Sequence, residues 1–444
     1  MKVKKLPKDP GITGWNAILP DEPQRPELDE AVTADWLVIG AGFAGLTAAR
    51  RLSEHHPDDR IIVLEASRLA HGPAGRNSGF MVDLPHDLSS SDYGGELTRD
   101  RQVTAMNRAA IDYAQSGAEK FGMSGEAFGR IGKTNAAATE KGLHHNQTYS
   151  EHLSRLGEAH QMLDAQAMKE MTGTDYYTGG LFTPGAAIIQ PALYIRSLAR
   201  GITSNRLTIY ERSPVVELTR DGASWKANTP KGSVNAPKVI MAVNGHINSF
   251  GFFDRQLMPI FTYASMSRIM TPDEISALGG QPNWGVTPAD PLGTSVRRIS
   301  GIGGDRILVR NRFTYDPSME VTDARIARVA MDHDRAFAAR FPMLRGLDME
   351  FRWGGRLCLS RNDVPAFGEV EENIFSACCQ NGLGTAKGTL SGMLAADLAS
   401  GANAEMVQAM LDEEAPQKLP PEPLAYIGAN AFIRWGELRA GKEL

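Results

Sequence analysis

The chain has 444 residues, 42% hydrophobic and 22% charged, which suits two globular domains around a large buried core. Its 47 basic and 52 acidic residues leave a formal net charge of −5, which argues against a nucleic-acid partner and supplies no polybasic patch for a membrane surface. Cys358, Cys378 and Cys379 suit neither disulfides nor a metal, and no signal-peptide core or bilayer-length apolar run occurs, so a cytoplasmic protein is expected.

Residues 1–32 are rich in proline and charge ("ILPDEPQRPELDE") and read as an extended arm rather than a packed element. "DWLVIG" reads as a short buried strand. "GLTAARRLSEHH" carries Leu46, Ala49 and Leu52 at near-helical spacing, and "RIIVLEAS" is a second buried strand. Strand, glycine turn, helix and strand make a βαβ unit, which implies a parallel sheet. Helical patterning dominates from about 100 to 175. Short strands joined by Asp-Gly and Lys-Gly turns follow, closing on the buried strand "KVIMAVNG". From 255 to about 345, alternating segments such as "RILVRNRFTY" suggest an antiparallel sheet, and "NIFSACCQNGLGTAKG" returns to strand, glycine loop and helix. The expected organisation is an arm at 1–32, a nucleotide domain in three parts (33–105, 185–250, 346–402), a helical substrate-domain segment at 106–184, an antiparallel sheet at 251–345 and a tail at 403–444.

Three glycine loops carry the chemistry. In Gly40-Ala41-Gly42-Phe43-Ala44-Gly45, the first glycine permits the tight turn and the second admits a pyrophosphate to the backbone. The third lets helix and strand pack closely. The anion then sits at a helix N-terminus. Glu65, with Ala66 beside it, ends the next strand, where a carboxylate accepts the ribose hydroxyls of an adenosine and repels a 2′-phosphate. That leaves FAD or NAD. "HGPAGRNSGF" supplies a second loop, with Gly75, Arg76, Asn77, Ser78 and Gly79 facing another part of the ligand. Asn381, Gly382, Leu383, Gly384, Thr385, Ala386 and Lys387 form the third, whose amides suit the electron-rich end of an isoalloxazine. Three loops spread over the chain suit a long ligand such as FAD.

With these residues the chain resembles the D-amino-acid-oxidase/glycine-oxidase superfamily of flavoproteins, nearest its branch of γ-glutamylputrescine oxidoreductases and sarcosine-oxidase-like enzymes. The resemblance rests on "TADWLVIGAGFAGL", "VLEAS", "GPAGRNSGF" and "RWGGRLCLSRNDVPAFGEV", and spans nearly the whole chain. It implies an α/β plus antiparallel β fold, with a Rossmann-type FAD-binding domain interleaved with a mixed-sheet substrate domain. The expected activity is oxidation of a C–N bond, with O2 as electron acceptor and a small amine or amino acid as substrate. Val216, Asn244, Gly245 and Gly355 complete the expected FAD contacts. Where some relatives tether flavin through histidine this chain has Arg76, so His71 reads as a loop residue. Others use a cysteine near Cys358, which here reads first as a buried apolar thiol; FAD is expected to bind non-covalently. Pro73-Ala74 replaces a family serine, and Leu383 replaces a histidine.

For the reaction, Lys387 is a candidate cation beside the reduced ring, and Arg310 or Arg312 a fork for a substrate carboxylate. Strand periodicity puts Arg306, Arg310 and Arg312 on one face, for which a solvated outer face is the plainer reading. Arg297 and Arg298 point to opposite faces of the preceding strand, and Trp353 and Tyr263 are candidate walls of the amine site. Iminodiacetate or sarcosine is the favoured substrate. The alternatives are a γ-glutamylputrescine-like amine, a dehydrogenase with another acceptor, and a nucleotide-binding sensor. The oligomeric state is open.

Overall fold

The run Trp36–Ile39 is buried along its whole length, which places it between two other strands. In the computed structural model, which describes residues 1–85, 94–402 and 404–444, it is central to a six-stranded sheet. The order is Ala366–Glu371, Ile374–Cys378, Lys238–Met241, Trp36–Ile39, Ile61–Leu64, Leu207–Tyr210. Every pairing is parallel except that of the edge strand Ala366–Glu371. The helices Phe43–His55 and Ala386–Ala399 pack together against this sheet. Their contact is tight: a Cβ at Gly392 would lie 2.1 Å from the Ala44 carbonyl oxygen.

A second, eight-stranded sheet runs Met349–Ser360, Leu257–Ser267, Arg306–Tyr315, Ser295–Ile299, Trp284–Pro288, Lys133–Ala137, Gly179–Thr183, Gln161–Asp164. The short strands between 217 and 236 form a separate four-stranded sheet with Ala31–Thr33.

Three expectations need correction. Met349–Ser360, assigned above to the nucleotide domain, pairs instead with Leu257–Ser267 in the second sheet. The helical stretch contains Leu97–Lys120, Glu140–Leu156 and Ala165–Thr172, but Lys133–Ala137 and Gln161–Asp164 are strands. Lys133–Ala137 is buried at all five positions, so its backbone must find partners on both sides, and the sheet supplies them. The proline-rich leader is also packed. Trp15 and Leu28 are fully buried, and the Val3 and Lys4 amides donate to the Val216 and Ser249 carbonyls, each at 2.9 Å. Proline blocks a helix there, but extended backbone still buries an indole and pairs along an edge.

Candidate active site

The first glycine loop leads from sheet to helix as its spacing dictates. Gly40 adopts φ +103°, and a Cβ there would lie 2.5 Å from the Ala242 carbonyl oxygen. A Cβ at Gly45 would lie 1.7 Å from the Gly40 carbonyl oxygen, so this glycine serves the close helix–strand packing. Gly42 is different: its missing Cβ would meet only Ala74, at 3.5 Å, and it caps the Phe43–His55 helix, whose free amides face an elongated cavity. The cavity holds about 1520 Å³ of empty space, its open mouth included.

Glu65 lines the same cavity. Its two carboxylate oxygens accept the Ala41 amide at 2.9 Å and the Ser67 amide at 3.0 Å, which leaves further lone pairs for a ligand. Burial raises its pKa, and the two amides oppose that shift. Phe43, Ala44 and Ala66 also border the cavity.

In the second loop only Asn77 among the five candidates lines the cavity, joined there by Gly72, Pro73 and Ala74. Gly75 is pressed on Ala70, where a Cβ would come within 1.8 Å of the carbonyl oxygen. The Ser78 carbonyl accepts from Arg297, and Gly79 turns at φ +79° against Ile189. Arg76 points away from the cavity. Its guanidinium donates to five carbonyls: His71 at 2.7 Å, Pro10 at 2.6 Å, Gly11 at 2.7 Å, Asp9 at 3.2 Å and Gly354 at 3.0 Å. It clamps leader, loop and second sheet together. His71 is a half-buried turn residue outside the cavity lining, its pKa lowered by burial and by Arg68.

At the far end, Asn244, Gly245, Cys358, Gly382 and Gly384 line the cavity, and a Cβ at Gly384 would meet nothing within 4 Å. Asn381 instead accepts the Ser360 amide at 2.8 Å, and Thr385 donates to the Phe80 carbonyl at 2.5 Å. Leu383 packs on the Phe80, Val82 and Ile188 cluster, while Ala386 begins the helix. Val216 gives its backbone to Asn228 and Val3, and its neighbour Val215 takes the lining position. Gly355 backs onto Arg76, and a Cβ there would lie 3.0 Å from the Arg76 carbonyl oxygen.

Sequence reasoning missed the leader entirely. Val3, Lys5, Pro7 and Asp9 close one wall of the cavity, a long-range contact with no local signal. It also missed a buried charged group. Arg356 donates to His246 at 3.1 Å and pairs with Asp9 at 2.9 Å, and all three border the cavity. Burial and the neighbouring guanidinium push His246 down to about 3, so its ring stays neutral.

The cysteines are buried free thiols. Contact with the Cys379 thiol, together with burial, raises Cys358 well above the ordinary thiol range, and burial pushes Cys378 up to about 12. A neutral buried thiol is a poor nucleophile. Native protein is therefore expected to resist iodoacetamide at pH 8, with three alkylated cysteines appearing on mass analysis only after denaturation. Alkylation of Cys358 in the folded state contradicts this.

Of the five candidates for the reaction, none borders the cavity. Trp353 is fully buried and donates to the Arg76 carbonyl at 3.1 Å, and Tyr263 is buried against Ile326 and Val329 of the Asp323–Arg340 helix, its hydroxyl on Thr314 at 2.7 Å. Lys387 lies 3.6 Å from Asp363 on the partly exposed flank of its helix. The arginines separate because Arg312, at φ +60°, is an extra residue: Thr262 pairs with Phe313 and Tyr263 with Asn311. This bulge breaks the two-residue alternation. Arg312 therefore turns to Asp332 at 2.7 Å and Glu437 at 2.8 Å, whereas Arg310 lies over the Phe313 ring on the other face. Arg297 and Arg298 do part, the first to Ser78 and Ile189, the second to Asp305. Arg312→Met is expected to leave substrate KM within about twofold while costing about 2 kcal/mol of stability, since Glu437 keeps Arg434 at 2.7 Å. A tenfold rise in KM would put Arg312 back at the site.

The open cradles at Gly42 and Gly384, the half-buried acceptor Glu65 and the cavity joining them fit FAD. A family model described as "DAO: FAD dependent oxidoreductase" matches residues 35–398. The chain is 27% identical over 395 residues to a probable oxidoreductase, OrdL, of Haemophilus influenzae, covering 84% of each. It is 27% identical over 384 residues to the γ-glutamylputrescine oxidoreductase of Escherichia coli, covering 84% of this chain and 85% of that one. The glycine oxidase of Geobacillus kaustophilus shares the fold, with a TM-score of 0.70 at 18% identity, over 88% of this chain and all of the other.

Proposed function

The chain belongs to the DAO family of FAD-dependent oxidoreductases, and on that premise we propose that it oxidises a C–N bond of a small secondary amino acid of the N-carboxymethyl type, iminodiacetate first and sarcosine second. The observation that carries this reading is the placement of Arg310. Its cross-strand partner Ala264 belongs to the core shared with Trp15 and Trp353, so this guanidinium lies on the sheet face turned to the FAD domain.

When bound, FAD would supply the two-electron acceptor for oxidation at the carbon next to nitrogen. Gly42 and the helix N-terminus would hold its pyrophosphate, Glu65 its ribose, and Gly382 and Gly384 the ring end. In this reading Arg310 fixes the substrate carboxylate and so orients the C–H bond, while burial and Arg356 keep the His246 ring neutral. Oxidation turns H–C–N–H into C=N with loss of two protons and two electrons, and water then splits the imine into aldehyde and amine. Iminodiacetate yields glyoxylate and glycine, and O2 as acceptor yields H2O2. Buried free cysteines, and the lack of any described helix long and apolar enough to cross a membrane, are in keeping with a cytoplasmic enzyme.

A γ-glutamylputrescine-like amine is the second reading, favoured by the Escherichia coli relative. Purified yellow protein screened with secondary amino acids, primary amino acids and γ-glutamylputrescine is expected to release peroxide with one of them. Anaerobic bleaching without peroxide in air means a dehydrogenase with another acceptor. No bleaching with any amine means a nucleotide-binding sensor.

A further inference from the structure

The helix Leu424–Ala440 packs against the Arg306–Tyr315 strand with a mostly small-residue side. Ala425 and Ile433 meet Ile260, Phe313 and Tyr315, and a Cβ at Gly436 would lie 2.2 Å from the Leu292 side chain. Polar contacts fix the helix there. Asn430 accepts the Tyr315 amide and donates to the Tyr315 carbonyl, each at 3.0 Å. The buried Glu437 accepts from Arg312 at 2.8 Å and from the Phe313 amide at 3.1 Å.

The bulky apolar residues of this helix point outward instead. Leu424, Ile427, Ala431, Trp435 and Leu438 recur at intervals of three and four, so they share one face, and the four large ones are 54–82% exposed. Phe432 flanks them, also exposed. Among the described residues, six of the fifteen exposed large hydrophobic side chains lie on this one helix. A surface helix ordinarily turns its charged side to water. This one is docked the other way round.

The charges beside the face are already answered within the chain. Glu437 is the only carboxylate of the helix, and Arg434 pairs with it at 2.7 Å. Arg439 lies over the Trp435 ring, 4.7 Å from its centroid. The face therefore asks for an apolar partner, and a net charge of −5 opposes an anionic lipid surface. Its five large side chains offer about 600 Å², the upper end of what a monomer exposes in one apolar patch. Two such faces together cover about 1,200 Å², the size at which specific interfaces begin.

We propose that this face binds the same face of a second copy of the chain, the two helices running antiparallel about a two-fold axis at Ala431. That axis sets Leu424 of each copy against Leu438 of the other, and Ile427 against Trp435, because both pairs are centred on residue 431. Gly428 and Ala431 carry no bulk, so the helices can approach closely where they cross. The contact is self-complementary and closes at two copies. None of these residues borders the FAD cavity, so the pairing does not depend on which amine is oxidised.

The test is sedimentation velocity on the purified holoenzyme, with flavin content and melting temperature checked for each variant. Wild type at about 10 µM is expected to sediment at twice the 48.2 kDa chain mass. Leu438→Glu and Ile427→Glu each place two unpaired carboxylates in the interface, and each is expected to weaken the dimer about a hundredfold. Ala431→Cys is expected to give a disulfide-linked dimer under copper phenanthroline in air, whereas Arg439→Cys, far from the axis, is not; the native thiols are buried. Wild type that stays monomeric at about 100 µM overturns the proposal, whether or not it floats with phosphatidylcholine–phosphatidylglycerol vesicles. A dimer that persists in both glutamate variants overturns it too, as does cross-linking through Arg439→Cys but not through Ala431→Cys.

Discussion

Glu65→Ala is expected to give a folded protein that does not retain FAD. The carboxylate is half-buried at the end of the Ile61–Leu64 strand, and each oxygen already holds one backbone amide, from Ala41 or Ser67. The remaining lone pairs are the acceptors for two ribose hydroxyls. Hydrogen bonds to a charged group contribute about 2 kcal/mol each, so losing both weakens FAD by about 4 kcal/mol, roughly a thousandfold. Flavin absorbance per chain after dialysis measures it, with circular dichroism to confirm the fold; a variant that stays yellow refutes the assignment. The same carboxylate sets a pH dependence. Burial raises its pKa, and ribose donors favour the charged form, so FAD binding near that pKa releases protons. FAD affinity therefore falls as pH is lowered through that raised pKa, starting above the ordinary carboxylate range. Glu65→Gln should flatten this profile in a fluorescence titration.

Arg76→Met is expected to cost about 4 kcal/mol, lowering the melting temperature by roughly 4 °C in a chain of this size. Methionine fills the space but leaves five carbonyls, from Asp9, Pro10, Gly11, His71 and Gly354, without their shared donor. Arg76→Lys should be nearly as harmful, because one ammonium does not span carbonyls that the planar fork reaches together. The loss should be local at first. Limited proteolysis near residues 9–11 is expected to quicken before the chain unfolds, since these residues are held to the second sheet through this side chain. A wild-type melting temperature for either variant contradicts the clamp.

The βαβ unit and its glycine turn were legible because their causes are local. A buried apolar run, a glycine that must adopt φ +103° at position 40, and a carboxylate at the next strand end lie within 30 residues, and the backbone they dictate tolerates few alternatives. The third loop was readable as a loop but not residue by residue. Gly382 and Gly384 face the cavity, while Asn381, Thr385 and Lys387 are taken up by Ser360, Phe80 and Asp363, partners chosen by folding. Val215 rather than Val216 lines the cavity for a similar reason: in an extended chain a step of one residue exchanges the two faces.

"HGPAGRNSGF" marks that boundary most clearly. Its glycines and Asn77 announce a tight turn, and the turn is there. Nothing in ten residues discloses that Arg76 faces the leader, some 65 positions upstream, rather than the ligand. Nor does strand periodicity foresee the extra residue at Arg312, which sends that side chain to Asp332 and Glu437 and parts it from Arg310 on the opposite face. By itself the sequence determined the nucleotide cradle, the parallel sheet and the family, because backbone sterics and hydrophobic periodicity act over a few residues. Which arginine clamps, which one turns to the FAD domain, and where the leader seals the cavity were decided only by tertiary structure, because those partners are brought together by sheet register and packing across the whole chain.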